Sequence, residues 1–268
     1  MTKQVVFFGS SDFSVVVLNK LLSAKRYELR AVVTTSDKPT GRHLKLTPNP
    51  VKVFAQEHNI PVVSSPQSGS IGLVAAYGKI IPQSTIDIFN GQIYNIHPSL
   101  LPKYRGPSPL QQQILDGITE TGVTIIQLDA LIDHGPVVAQ EKDVILPNDT
   151  TITLGNRLFE IGANWFIENS LKIENCKLKI QDESVATFTK KLTRQDGFLE
   201  FGEFKNYLEI ENWKLKIDRL WRAYYPWPGI WTTTPSSQRL KLISLKPQIL
   251  VQLEGKTPIP WTRFPLLI

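Results

Sequence analysis

The first 34 residues alternate between a short apolar run, an amphipathic stretch and a second apolar run. Residues 4–8 (QVVFF) predict a buried strand, residues 13–22 carry apolar side chains at helical spacing, and residues 29–34 predict the next strand. A strand, a helix and a strand in this order form a βαβ unit with parallel strands. The sequence therefore predicts an α/β fold with a mostly parallel sheet.

The rest of the chain extends this pattern and then changes character. The first turn (FGSSDF) has one glycine where a dinucleotide-binding turn has three, which excludes a nicotinamide or flavin site there. The last third instead predicts one helix and several short β-like runs, typical of a small barrel. The further predicted elements are helices at 51–58, 107–115, 150–167 and 213–222, and strands at 60–63, 71–75, 92–96, 122–128, 136–141, 231–234, 240–245 and 249–253.

Length and charge divide the chain in two. Its 268 residues are enough to form two domains, which we place at residues 1–185 and 186–268. Residues 1–185 hold 17 Lys and Arg against 17 Asp and Glu, whereas residues 186–268 hold 13 against 7. A basic domain beside a neutral one is expected to have a polyanionic partner, although a solvated lysine-rich face would give the same charge.

Composition also bears on compartment. Cys176 is the single cysteine, so no intrachain disulfide is expected. The first residues lack the pattern of a signal peptide, and no apolar run is long enough to span a membrane. We expect a cytoplasmic protein without a membrane partner, and a monomer.

Polar residues interrupt the apolar pattern at residues 94–106 (YNIHPSLLPKYRG). Asn95 and His97 are two residues apart on the predicted strand, so their side chains point to the same face. They lie at its carboxyl end, where open α/β sheets bind ligands. The loop of residues 127–140 (QLDALIDHGPVVAQ) offers a carboxylate at Asp133. We expect these three side chains to form one acyl-transfer site.

These side chains suit the attack of an amine on a formamide-like carbonyl. Preorganised donors such as the Asn95 amide and the His97 ring stabilise the tetrahedral oxyanion. The imidazole can also pass the proton from the amine to the leaving nitrogen, and Asp133 would orient the imidazole. Alone, an Asn-x-His pair is usually structural and such an aspartate is usually a turn residue, so the prediction depends on the combination. We expect no metal, because one His and one Asp are too few ligands.

A long polar segment at residues 35–50 follows the second strand. Loops of this length within a compact domain are usually functional or disordered. The basic side chains of this segment could reach phosphates, and the segment leaves the same edge of the sheet as Asn95 and His97. The alternative is a mobile surface loop.

Two stretches carry a specific resemblance. Residues 95–109 (NIHPSLLPKYRGPSP) followed by residues 120–141 (ETGVTIIQLDALIDHGPVVAQE) closely resemble the folate-dependent formyltransferases. The resemblance implies a Rossmann-like formyltransferase domain followed by a small OB-like β-barrel. It also implies 10-formyltetrahydrofolate as the formyl donor and Asn95, His97 and Asp133 as the catalytic residues. The implied folate-binding residues are Ser99, Leu100, Leu101, Pro102, Tyr77, Gly78, Lys79 and Ile80.

Further matches are similar to the family members that formylate methionyl initiator tRNA. These matches are residues 37–52 (DKPTGRHLKLTPNPVK) and, in the tail, FTKKLTRQDGF, RAYYPWPGIWTT and LVQLEGKTPI. They imply that initiator tRNA is the partner and that Arg42 contacts it. Lys38 and Lys45, the other basic side chains of the segment that could reach phosphates, are expected to bind the tRNA as well. The chain departs from the family pattern in lacking a helix between residues 62 and 73, in a shorter carboxyl-terminal domain, and in His134 after Asp133.

Two other functions stay open on the sequence. The first is formylation of a small amine such as an amino-sugar nucleotide or a glycinamide ribotide. Such a small substrate does not require the basic segment at residues 35–50 or the basic residues 186–268. The second is an RNA-binding module without catalysis, for which the three polar site residues have no use.

Overall fold

The computed structural model describes residues 3–40, 44–66, 71–170, 173 and 176–266. The chain groups into two compact units. The first unit comprises Met1–Pro109, Glu120–Val144 and Gly155–Thr189, and the second comprises Leu110–Thr119, Ile145–Leu154 and Lys190–Ile268. The functional domain limits 1–185 and 186–268 stay a prediction.

A six-stranded sheet forms the centre of the first unit. Its strands are β1 (Lys3–Phe8), β2 (Tyr27–Val33), β5 (Ile71–Ala75), β6 (Ile93–His97), β7 (Glu120–Gln127) and β8 (Val137–Val144), in the spatial order β2-β1-β5-β6-β7-β8. The first four of that order run parallel, whereas β7 is antiparallel to both of its neighbours. The predicted mostly parallel, Rossmann-like sheet is confirmed.

The described residues of the two units also form helices. They are α1 (Asp12–Ser23), α2 (Pro50–Glu57), α3 (Gln83–Asp87), α4 (Pro109–Asp116), α5 (Thr151–Asn169), α6 (Phe201–Glu209) and α7 (Lys214–Tyr224). Helix α1 begins at a capping box, in which the Ser11 and Ser14 side chains each accept a backbone N–H of the other residue. Its buried residues include Val17, Leu18 and Leu21, so the helical spacing seen in the sequence marks the face that packs on the sheet.

Helix α5 packs closely behind β6. A Cβ atom at Gly162 would lie 2.5 Å from Ile96 Cγ2, nearer than side chains approach one another. Ile96 stands between Asn95 and His97 on β6 and is itself 1% exposed. The absence of a side chain at Gly162 therefore lets the apolar face of β6 be covered while the opposite face carries the polar pair.

Two predictions for the first unit need correction. Residues 60–63 form no strand of their own, because Val62 makes only an isolated parallel bridge to Val32 of β2. The polar segment at residues 35–50 is not a plain loop. It contains two short antiparallel strands, β3 (Lys38–Thr40) and β4 (Lys45–Thr47), in which Lys38 pairs with Thr47.

The second unit contains a four-stranded antiparallel sheet. Its strands are β9 (Trp231–Thr233), β10 (Arg239–Ser244), β11 (Leu250–Leu253) and β12 (Ile259–Pro260), in the spatial order β12-β11-β10-β9. The prediction of separate β-structure in the last third is confirmed. The sequence predicted one helix there, however, whereas the described residues of that third form two α-helices, α6 and α7. No helix within the described ranges combines the length and apolar character that crossing a bilayer requires.

A carboxylate in the second unit gives a pH-dependent prediction. Asp196 accepts a hydrogen bond from Lys190 and two from Thr193, at 2.7 Å from the backbone N and 2.8 Å from Oγ1. The Lys190 bond above all lowers the pKa of Asp196 to about 2. Because the folded-state pKa lies below the unfolded value, Asp196 stabilises the fold above about pH 4, and the contribution is lost as pH falls towards 2.

We therefore expect Asp196→Asn to lower the free energy of unfolding by about 1–2 kcal/mol at pH 7. The difference from wild type should shrink between about pH 4 and pH 2, as followed by urea unfolding at several pH values. Glu209→Gln, at the exposed end of α6, serves as the control and should show no such change. A difference that is equal at pH 7 and pH 2 would contradict the prediction.

Candidate active site

The carboxyl end of β6 presents two polar side chains on one face. Asn95 pairs across the sheet with Val74 of β5 and Ile126 of β7, and His97 ends the strand opposite Thr124. The imidazole is almost completely buried, whereas Asn95 is partly exposed. The two-residue spacing therefore places both side chains where β5 and β6 end.

Asp133 lies beside this pair, although it comes from the loop between β7 and β8. Its Oδ1 accepts a hydrogen bond from Asn95 Nδ2 at 3.2 Å and lies 3.5 Å from His97 Nδ1. Its Oδ2 accepts a hydrogen bond from the Gly106 N–H at 2.8 Å. The structure thus brings together the three residues that the sequence predicts to be catalytic.

Both ring nitrogens of His97 face acceptors. Nε2 lies 3.0 Å from the carbonyl oxygen of Tyr104, and Nδ1 faces the Asp133 carboxylate. A neutral imidazole has one N–H, whereas the imidazolium has two. Each ring nitrogen is thus placed to donate a hydrogen bond when it carries a proton, and Nδ1 lies on the side where Asn95 and Asp133 meet.

The backbone has positive φ angles both at Asp133 itself and in the segment that donates to its carboxylate. Asp133 has φ +48°, Tyr104 φ +63° and Gly106 φ +105°, all in the left-handed region. Gly106 also has no room for a side chain, since a Cβ there would lie 2.8 Å from the Thr189 carbonyl oxygen. These turns aim the Gly106 N–H at Asp133, and glycine is the residue that permits the turn at position 106.

Sequence reasoning missed a second group of polar residues behind the site. The polar composition of residues 172–191 predicts a linker or an edge hairpin. In the structure, Lys179 makes an isolated antiparallel bridge to Val137 of the edge strand β8, and Phe188 makes a parallel bridge to Arg105. From this segment Gln181 and Glu183 contact the buried Arg105. The polar composition of the segment gave no periodic signal. On the sequence, Arg105 could be an ordinary solvated basic residue beside Lys103, whereas the structure buries it.

A second histidine–carboxylate pair lies on the same loop. His134 Nδ1 lies 2.5 Å from Asp129 Oδ2, and its Nε2 lies 3.5 Å from Glu183 Oε1. Hydrogen bonds from Arg105 lower the pKa of Glu183, so this carboxylate stays charged at neutral pH. The position after Asp133, where the chain departs from the family pattern, is thus occupied by a residue with partners of its own.

The predicted folate-binding segment after His97 is largely turned into the protein. The Ser99 hydroxyl is buried and donates to the Lys103 carbonyl at 2.7 Å. Leu101 packs in a small apolar cluster with Ile126 and Val137. Leu100 and Pro102 are partly exposed and present the accessible side chains of this segment.

A cleft of about 390 Å³ lies at the carboxyl ends of β1, β2 and β5. Tyr77 and Gly78 line it together with Lys38, and the hydroxyl-bearing residues on its walls are Ser10, Ser11, Thr35, Ser36 and Thr47. Partial burial raises the pKa of Tyr77, so its hydroxyl stays protonated as a donor. Ala76 also lines the cleft, and it directly follows Ala75, which pairs with Ile96 of β6.

Other predicted binding residues lie elsewhere. Lys79 and Ile80 are exposed beyond the turn, with Ile80 73% exposed. Lys45 lies on β4, next to the exposed Leu44 and Leu46. Arg42 lies outside the described residues. Among the residues that the structure does describe, no three His, Cys, Asp or Glu side chains form a group that could hold a metal ion.

Comparison with known proteins defines the class to which this site belongs. A family model described as Formyl transferase matches residues 2–169, and one described as Formyl transferase, C-terminal domain matches residues 209–263. The chain belongs to the formyl transferase family.

Relatives within this family carry a more specific name. A methionyl-tRNA formyltransferase of Roseiflexus castenholzii is 37% identical over 262 residues, which cover 92% of this chain and 80% of the relative. The solved methionyl-tRNA formyltransferase of Clostridium thermocellum superposes with a TM-score of 0.64 at 19% identity, covering 96% of this chain and 99% of that one. An N-formyltransferase of Helicobacter canadensis, solved with folinic acid and dTDP-3-aminofucose, has a TM-score of 0.62 at 18% identity, covering 97% and 99%.

Proposed function

We propose that this protein transfers a formyl group from 10-formyltetrahydrofolate to the amino group of methionyl initiator tRNA. The observation that carries the proposal is the convergence of Asn95, His97 and Asp133 at the carboxyl end of β6, in a chain of the formyl transferase family. The reaction prepares the initiator tRNA for translation, which assigns the protein to the cytoplasm.

The three side chains account for each stage of the transfer. The neutral amine attacks the formyl carbon, and the carbonyl electrons move to oxygen, where Asn95 Nδ2–H and His97 Nδ1–H are placed to donate. The tetrahedral intermediate then expels N10 of the folate. His97 then gives its Nδ1 proton to the leaving N10 and takes up the proton of the attacking nitrogen in exchange, and the products are the formylated amine and tetrahydrofolate.

Asp133 supports both donors in this scheme. Its Oδ1 faces Asn95 Nδ2 and His97 Nδ1 together, so it orients the two groups that meet the oxyanion. The negative charge of Asp133 also stabilises the positive charge that the ring carries whenever it holds both protons during the transfer. The Asp133 carboxylate is therefore assigned an orienting and electrostatic role.

The folate donor is proposed to bind against the segment after His97 and the turn at Tyr77. The accessible side chains there are Leu100 and Pro102, which offer an apolar surface to a flat ring. Because the Ser99 hydroxyl and the Leu101 side chain are committed inside the protein, these two residues would contact folate through backbone groups. Tyr77 and Gly78 are proposed to complete the pocket, with Lys79 and Ile80 at its rim.

The tRNA end is proposed to enter through the cleft lined by Lys38. One cleft then combines Tyr77 and Gly78, predicted to bind the donor, with Lys38, predicted to bind the acceptor, as transfer between two substrates requires. Lys45 and Arg42 would contact the tRNA outside the cleft. The basic excess of residues 186–268 supports binding along the RNA backbone.

The test of this proposal measures transfer of formyl label from 10-formyltetrahydrofolate to charged initiator tRNA. Wild-type protein is expected to label the tRNA, and Asn95→Ala, His97→Ala and Asp133→Ala are expected to lose the activity. Lys38→Ala should raise KM for tRNA severalfold and reduce its salt dependence, with little effect on KM for the donor.

A nucleotide-linked amino sugar, assayed in parallel, provides the competing acceptor. Faster formylation of the sugar than of charged tRNA would overturn the choice of acceptor. Tight tRNA binding without any transfer would overturn the assignment of an enzyme.

A further inference from the structure

We propose that Gln181 and Arg105 are positioning residues that hold the Asp133 carboxylate in place for formyl transfer. The inference rests on the proposed function, because it gives these residues a part in that reaction. Both residues lie in the first unit and are buried, at 7% and 1% exposed.

The conformation of Asp133 calls for such support. A non-glycine residue with φ +48° occupies a sparsely populated region and persists where its surroundings hold it. Gln181 Nε2 donates to the carbonyl oxygens of Asp133 at 2.9 Å and of Gly135 at 2.8 Å. One amide group thus pins two carbonyls of the turn that carries the carboxylate.

Arg105 determines which way the Gln181 amide faces. The Gln181 Oε1 atom accepts from Arg105 Nε at 3.1 Å and from Nη2 at 2.8 Å. A guanidinium only donates, so the amide oxygen must face it and the NH2 group must face the loop. The orientation of Gln181 therefore follows from hydrogen-bond chemistry.

Arg105 is itself held firmly. Glu183 accepts two hydrogen bonds from it, at 2.9 Å from Nη1 and 2.6 Å from Nη2, and the guanidinium lies 5.7 Å from the ring centre of Phe188. The residue after Arg105 is Gly106, whose N–H donates to Asp133 Oδ2. Anchoring Arg105 therefore has two effects on Asp133. It fixes the neighbouring Gly106 N–H, which holds the Asp133 carboxylate, and it orients Gln181, which holds the Asp133 backbone carbonyl.

The test uses Gln181→Glu, which keeps the size of the side chain and an oxygen for Arg105. A carboxylate oxygen, instead of an NH2 group, then faces the carbonyls of Asp133 and Gly135. We expect kcat to fall by roughly 10–100-fold, as for a misplacement of reacting groups by about 1 Å, while KM for both substrates stays within about twofold. The matched control is Gln127→Glu, whose side-chain amide donates to the carbonyl of Gly91, a residue before the start of β6 and so beyond the strand end opposite to His97.

A second measurement follows the carboxylate without using activity. Protein labelled with ¹⁵N-glycine reports the amide signal of Gly106, which is sensitive to the hydrogen bond with Asp133. We expect this signal to shift in Gln181→Glu and to stay in place in Gln127→Glu. If wild type shows no formyl transfer, the proposed function fails, and the Gly106 signal still tests the positioning.

The outcomes separate positioning from a structural role. If the Gly106 signal of Gln181→Glu does not shift, the inference is overturned. It is also overturned if the variant changes only KM, or if the signal shifts while kcat stays unchanged. Should Gln181→Glu fail to fold, Gln181→Met removes the polar atoms at nearly the same size and is judged by the same two measurements.

Discussion

Replacing Asp133 with asparagine is expected to lower kcat for formyl transfer by about 10³-fold and to change KM for either substrate by less than about threefold. Asparagine keeps the shape of the side chain but removes the charge that faces His97. One of the two carboxylate oxygens is also replaced by an NH2 group. This group then faces either the Gly106 N–H or the Asn95 Nδ2–H, and two donors cannot form a hydrogen bond with each other. The variant therefore loses the electrostatic partner of the imidazolium and one hydrogen bond within the site.

The same loop provides the control for this prediction. Asp129 pairs with His134 as Asp133 pairs with His97, and it lies four residues earlier. Asp129→Asn removes a carboxylate from a histidine without touching the three proposed catalytic residues, so kcat should stay within about threefold of wild type. Steady-state kinetics with charged initiator tRNA compares the two. An equal fall in kcat in both variants would show that the loop is sensitive to the loss of any carboxylate. The catalytic role assigned to Asp133 would then be wrong.

Much of the site could be predicted because it depends on local geometry. The alternation of a strand places Asn95 and His97 on one face, and the rule for open α/β sheets places them where strands end. Asp133 required more than local geometry, since a loop aspartate has no periodicity that fixes its direction. Its turn depends on Gln181, nearly fifty residues further on, and no pattern in residues 172–191 indicates that contact.

The fold shows the same limit. Long periodic runs such as those of α1 and β7 were predicted within a few residues of their bounds. The short strands β3 and β4 were missed, because three-residue strands depend on their pairing and hardly on their own sequence. Helix α6 was missed although Phe204 and Leu208 stand at helical spacing, since a nine-residue segment is stabilised mainly by the packing of its apolar face.

Replacing Asn95 with alanine is expected to lower kcat by about 10²–10³-fold, the usual cost of removing one donor to an oxyanion. Asn95 Nδ2 carries two hydrogens, and one bond to Asp133 leaves the other for the substrate oxygen. The residue also lies on a sheet strand between two paired neighbours, so truncation should leave the fold intact. The loss should therefore appear in kcat, with KM for both substrates nearly unchanged.

The double variant Asn95→Ala with Asp133→Asn tells a direct role of Asn95 from an indirect one. If Asn95 only oriented Asp133, removing it from the Asp133→Asn protein would cost nothing further. Because the amide has a hydrogen of its own for the oxyanion, we expect the double variant to lose at least another tenfold in kcat. A double variant as active as Asp133→Asn alone would remove Asn95 from the groups that contact the reacting carbonyl and leave His97 as the donor there.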